Sequence, residues 1–85
     1  MGKVFRFSEV KNQQLKVLRG VTFEDLLAAE YLETREHARY KHQKVMFVQY
    51  RQYVWVIPFV EEKDYFFLKT AYPSRKYTKI FLGGE

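Results

Sequence analysis

The apolar and polar positions divide this chain into a helical first third and a strand-rich remainder. Val4-Phe5-Arg6-Phe7 alternates apolar with polar and predicts a short first strand or an extended lead-in. Ser8 offers a helix N-cap. Beyond it Val10, Gln14, Val17 and Leu18 recur at near-helical spacing with Leu15 alongside, and Arg19-Gly20 supplies a basic last turn followed by a residue that tolerates the left-handed C-cap conformation. Thr22-Phe23-Glu24-Asp25 then opens a second helix, because a capping hydroxyl precedes two acids that suit the positive end of a helix. Val21, Leu26 and Leu27 supply its buried side, with Phe23 near its start. The two helices predict an αα-hairpin covering one face of whatever follows.

The stretch from Glu33 to Lys44 has no clear period of either kind and reads as a loop, with room for a short strand at its start. Three runs rich in β-branched and aromatic residues come next: Val45 to Tyr50, Tyr53 to Val60, and Tyr65 to Tyr72. Arg51-Gln52 and Glu61 to Asp64 suit hairpin connections in length, although neither carries an Asn-Gly turn signal. Pro58 cannot donate to a ladder and marks an edge, a bulge or a bend in the second long strand. Period two places Tyr53, Trp55, Ile57 and Phe59 on one side of that strand and Val54, Val56 and Val60 on the other. Lys69 falls in the row of Tyr65, Phe67 and Ala71, where a cation needs water or an anion. After Pro73, Ser74 caps a short C-terminal helix with Arg75 at its start, where backbone N–H groups favour a phosphate. The expected class is α+β: an N-terminal αα-hairpin on a three- or four-stranded antiparallel sheet, with a short C-terminal helix.

Composition narrows the function. The chain has 85 residues and reads as a single domain, 1–85; 47% of it is hydrophobic and 19% aromatic, which argues against intrinsic disorder. No cysteine is present, so disulfides, thiolate metal sites and cysteine nucleophiles are excluded. Met1 to Arg6 lacks the apolar region of a signal peptide, Arg6 breaks the simple myristoylation pattern, and the longest apolar run, Val54 to Val60, is too short to span a bilayer. A cytoplasmic location without membrane contact is the default expectation.

The net charge is +5, and it is unevenly placed: residues 1–34 balance, residues 35–51 carry five cations against one acid, and residues 69–79 carry four against none. A polyanionic partner follows from that clustering, although a merely solubilising surface gives the same count. His37 and His42, with Glu33 and Glu36 nearby, do not make a zinc signature, and their basic neighbours oppose a dication, so no metal or cofactor is expected. The four glycines, Gly2, Gly20, Gly83 and Gly84, form neither a phosphate loop nor a nucleophile elbow. The acids are explained by capping and solvation. What remains is metal-free cleavage of RNA, in which a base activates the 2′-hydroxyl, cations hold the charge growing on phosphate, and an acid protonates the leaving oxygen. Lys69 and Arg75 are the candidates to clamp the phosphate, and His37 to move the proton near neutral pH. Arg39, Lys41, Lys44, Lys76 and Lys79 would hold flanking RNA, and Tyr50, Tyr53 and Tyr72 can stack on bases or simply fill the core.

Phe5-x-Phe7-x3-Lys11-Asn12, the element Arg19-Gly20-Val21-Thr22-Phe23-Glu24-Asp25, and the ending Lys69-Thr70-x2-Pro73-Ser74-Arg75-Lys76-x-Thr78-Lys79 together resemble the BrnT-like toxins of bacterial type II toxin–antitoxin systems. The resemblance covers nearly the whole chain. It implies a RelE-like fold and a metal-independent endoribonuclease that inhibits growth. It also implies a cognate antitoxin, usually with a ribbon-helix-helix DNA-binding part, through which the pair would meet operator DNA. The resemblance also implies that the family ends its last strand with a basic residue, followed by small residues and an arginine before the final helix; Lys69 and Arg75 occupy those places. Two departures are visible: Phe81 stands where a tyrosine is frequent, and Thr78-Lys79 where a glutamate tends to follow the arginine. A non-catalytic module binding RNA or protein through the same basic surface is therefore the rival expectation. A structural subunit pairing through its aromatic sheet face is a third.

Overall fold

The computed structural model describes residues 4–83; Met1 to Lys3, the start of the N-terminal segment that lacks a signal-peptide apolar region, lie outside the described residues. Among the described residues nine elements follow one another: β1 (Val4–Arg6), α1 (Glu9–Arg19), α2 (Phe23–Leu27), β2 (Glu30–Glu36), β3 (Gln43–Tyr50), β4 (Tyr53–Glu61), β5 (Tyr65–Leu68), β6 (Tyr72–Pro73) and α3 (Arg75–Leu82). They build one mixed sheet in the order β1-β5-β4-β3-β2, with β6 attached to β4. All pairings are antiparallel except that of β1 with β5.

The α+β class is as expected, but the sheet is larger than three or four antiparallel strands. The stretch Glu33 to Lys44, expected as a loop with room for a short strand at its start, holds the last four residues of a seven-residue strand, β2, and the first two of β3. Edge strands are commonly guarded by charge, and Glu30, Glu33, Arg35 and Glu36 erase the apolar alternation that would have signalled β2. The run from Tyr65 to Tyr72 also divides. The ladder of β5 with β4 stops at Leu68, and β6 resumes against Trp55 and Val56. Pro58 lies in the gap between them, and its carbonyl accepts the Lys69 N–H at 2.8 Å. A residue's N–H and C=O point to the same antiparallel neighbour, so the N–H that proline lacks would have faced a stretch with no ladder to join.

The helical caps follow the sequence. Ser8 accepts the Lys11 N–H and Gly20 closes α1 at φ 74°, while Thr22 and Asp25 form a reciprocal capping box on α2. With only five residues, α2 makes the hairpin a helix followed by a single turn rather than two full helices. The buried side of α1 also differs from its apolar row. Asn12 and Leu15 face the protein, whereas Val10, Val17 and Leu18 face solvent.

Two cores result. One lies under α1 and α2 and joins Leu15, Phe23 and Leu26 to Met46, Val48, Trp55, Ile57, Phe59 and Leu68. The other lies on the opposite face, where Phe47, Val54 and Val56 meet Tyr77 and Phe81 of α3. The alternation of β4 read from the sequence sorts these two faces correctly for Trp55, Ile57 and Phe59 against Val54 and Val56.

The β3–β4 turn is made by Arg51 and Gln52, both at positive φ (53° and 66°), the geometry for which hairpins favour Asn-Gly. A side chain in this region is strained. Gln52→Gly is therefore expected to raise stability by about 0.5–1 kcal/mol, after the greater unfolded-state freedom of glycine is subtracted. An unchanged or lower melting temperature would show that Gln52 makes a compensating contact.

A cation-flanked cleft on the α3 face

Two hydrogen bonds at the Val54 backbone tie the start of helix α3 to the sheet. Val54 donates its N–H to the Thr78 hydroxyl at 2.9 Å and accepts the Ser74 N–H at 2.9 Å, while Ser74 caps the helix through the Tyr77 N–H. Tyr77 and Phe81, one turn apart on the inner side of α3, pack on Phe47 with ring centroids 4.6 and 5.1 Å away. Arg35, reaching in from β2, lies over all three rings at 5.4 Å from Phe47, 5.8 Å from Tyr77 and 5.5 Å from Phe81. Its guanidinium pairs with Glu33. That hydrogen bond first, then the charge of Glu33 and the Tyr77 phenol, push the Arg35 pKa above its ordinary value. A cation locked over aromatic faces is oriented before any ligand arrives.

Beside this arginine is a cleft of about 140 Å3, lined among others by Arg35, His37, Val45, Val56, Tyr72 and Tyr77. Strand register extends the picture sideways. Arg35 pairs with Val45, Val45 pairs with Pro58, and the Pro58 carbonyl holds Lys69, so one row runs across four segments with a cation at each end. Three strand spacings put the two backbones roughly 14 Å apart. The Lys69 ammonium lies 5.8 Å from the centre of the Phe67 ring, on the same face of the sheet as α3. Between the cations in this row, Val45 lines the cleft and Pro58 is buried.

The other residues singled out from sequence fall in different places. Arg75 is exposed at the first position of α3, Lys79 follows one turn later, and the Lys76 ammonium lies 5.4 Å from the Tyr77 ring. His37 ends in a turn in which its Nδ1 accepts the N–H groups of Arg39 (3.0 Å) and Tyr40 (3.2 Å). A neutral imidazole with Nδ1 as acceptor carries its proton on Nε2, so His37 presents a donor. Arg39 and Lys41 are exposed in the loop after His37. Lys44 projects on the opposite face and donates to Glu61 at 3.0 Å; that bond, then the charge of Glu61, raise the lysine's pKa. Tyr53 is half-buried against the core under α1 and α2, away from this cleft, as is Tyr50. Among the described residues no group of three His, Asp or Glu side chains is placed to hold a metal ion, and no helix is long and apolar enough to cross a membrane.

Reading Glu33 to Lys44 as a loop hid Arg35. Glu33, Arg35 and His37 alternate, and a strand places such residues on one face. Tyr77 was legible as well, because it lies four residues before Phe81 on the same side of a helix and brings a hydroxyl to the region where the Phe81 position lacks one.

The chain has a BrnT-like fold. The crystal structure of the ribonuclease toxin BrnT from Brucella abortus superposes with a TM-score of 0.57 over 86% of this chain and 97% of that one, at 11% sequence identity. No protein-family model matches the sequence, and no curated protein matches it. The likeness to BrnT thus holds at the level of the fold, over nearly the full length that the sequence motifs span.

Proposed function

We propose that the chain is the toxin of a type II toxin–antitoxin pair, a metal-independent endoribonuclease that arrests growth until a cognate antitoxin, of ribbon-helix-helix type, binds it. The observation that carries this reading is the row Arg35–Val45–Pro58–Lys69, with a cation at each end and with His37 and Tyr77 lining the cleft beside Arg35. A phosphodiester laid across that row would meet the preoriented Arg35 guanidinium on one side and the Lys69 ammonium on the other, and such cations stabilise the charge that grows on a phosphorane-like transition state. The 2′ oxygen would bond to phosphorus and lose its proton to solvent water as the bond to the 5′ oxygen breaks, and the Tyr77 hydroxyl would protonate that leaving oxygen, while His37 Nε2–H would hydrogen-bond a phosphate oxygen. Arg75, with Lys76 and Lys79 along α3 and Arg39 and Lys41 in the loop, would hold the strand on either side. The BrnT-like fold supports the toxin assignment, and the cationic α3 face supports RNA as the substrate.

One observation favours the rival reading of a non-catalytic RNA-binding module. With Nδ1 engaged by two backbone amides and Nε2 protonated, His37 has no free nitrogen with which to act as a base. Induced expression in a bacterial host lacking the neighbouring gene separates the two. Growth arrest with RNA decay is expected for the native chain and neither for Lys69→Ala, and the purified protein should cleave single-stranded RNA equally with and without a chelator. Normal growth and intact RNA from soluble native protein would transfer the assignment to the binding module.

A further inference from the structure

The outer side of α1 is apolar where a solvent-facing helix is ordinarily polar. Val10 is 67% exposed, and Val17 and Leu18 are each 80% exposed. Val10, Gln14, Val17 and Leu18 stand at i, i+4, i+7 and i+8, the spacing with which one helix receives another. Along the same helix a cleft of about 330 Å3 opens between α1 and the segment before β6, lined by Lys11, Gln14, Leu18 and Arg19 with Phe23 and Tyr72. Its lining holds two cations and no acid, and Lys16 adds a third cation to the helix.

We infer that α1 and this cleft form a docking surface for an acidic amphipathic helix of a partner protein, with leucine-like side chains on the Val10–Val17–Leu18 row and carboxylates against Lys11 and Arg19. Charge decides among the possible occupants. A second copy of this chain would set +5 against +5 and bring like-charged α1 helices together. An RNA strand would find aliphatic side chains where it needs aromatic faces. Only an acidic chain with an apolar stripe satisfies both features. Tyr72 also lines the cleft beside Arg35, so a partner seated on α1 reaches the wall of the proposed RNA site. The docking chemistry stands without any cleavage of RNA; its use as the seat of an inhibitor rests on the toxin reading.

The probe is a labelled helical peptide of about 20 residues with leucine at the heptad a and d positions and glutamate elsewhere, titrated with the full chain. Controls are polyglutamate of equal length and the same heptad peptide with lysine for glutamate. The acidic heptad peptide should bind, and Leu18→Glu and Arg19→Glu should each weaken it by about tenfold or more, with melting temperatures unchanged because both side chains are exposed. Arg19→Glu should gain affinity for the lysine peptide. Equal binding by Leu18→Glu, equal binding of polyglutamate, or a native homodimer that Leu18→Glu dissolves would each overturn the proposal. Intact RNA in the cleavage assay would count against the toxin reading while leaving the peptide result in place.

Discussion

Arg35→Gln is expected to lower the rate of RNA cleavage by about two to three orders of magnitude, the loss typical of removing one preorganised group that stabilises transition-state charge. Arg35→Lys should recover little of it. Lysine keeps the charge, but it cannot hold Glu33 with a guanidinium edge while lying flat over Phe47, Tyr77 and Phe81. Stability should move far less than activity. The side chain is substantially exposed and its ring contacts are those of a surface cation–π cluster, worth about 0.5–1 kcal/mol. Glu33→Gln supplies a discriminating control: it frees the guanidinium without removing it, so a positioning role for Glu33 predicts a partial loss of rate with RNA affinity retained. Single-turnover cleavage together with RNA affinity for these three variants makes the test. If Arg35→Gln cleaves RNA at the native rate, the reacting phosphate lies elsewhere, and the exposed cations of α3 become the next place to look.

The parts of the fold that were legible are those fixed by short-range chemistry. Ser8, Gly20 and Thr22 cap helices because their side chains, or the lack of one, satisfy terminal groups locally. The faces of β4 follow from period two, because both sides of that strand are covered. The errors arose where burial departs from local pattern. The row Val10, Val17, Leu18 satisfies the helical period yet faces water, and the buried position on the other side is taken by a polar residue, Asn12. Strand β2 carries no apolar alternation because it is an edge, and with it went Arg35, the residue around which the cleft is built. Lys69, by contrast, keeps the aromatic neighbour that period two gave it, with its ammonium 5.8 Å from the centre of the Phe67 ring, whereas Ala71, expected in the same row, is buried in the core under α1 and α2. That it shares a register row with Arg35 follows from three successive pairings across four segments, which no local signal encodes.

Asn12→Ala is expected to destabilise the protein by about 2–3 kcal/mol, or a fall in melting temperature of roughly 10–20 °C for a domain of this size. Asn12 is 5% exposed. Its amide donates to a Glu24 carboxylate oxygen at 2.8 Å, and its carbonyl oxygen accepts the Phe23 N–H at 2.7 Å. Truncation strands that N–H beside Phe23, which is itself buried, and removes the polar link from α1 to α2. Only Leu15 then remains as a buried side chain of α1. The Glu24 bond adds a pH signature. The Asn12 amide first, then the glutamate's own backbone, hold the carboxyl below its ordinary value of 4.5. A depressed folded-state pKa gives stability that is present above the unfolded value and lost as pH falls through the folded one. Native protein should therefore lose stability below about pH 4.5 more steeply than Glu24→Gln, and in the Asn12→Ala background the difference between glutamate and glutamine should largely vanish. Thermal melts of the four proteins across that range measure the coupling directly. Because α1 carries the proposed docking row, Asn12→Ala should also weaken the acidic heptad peptide even though Asn12 does not face it, whereas the Arg35 cleft, on the other side of the sheet, should retain its affinity for RNA at temperatures where the variant is folded.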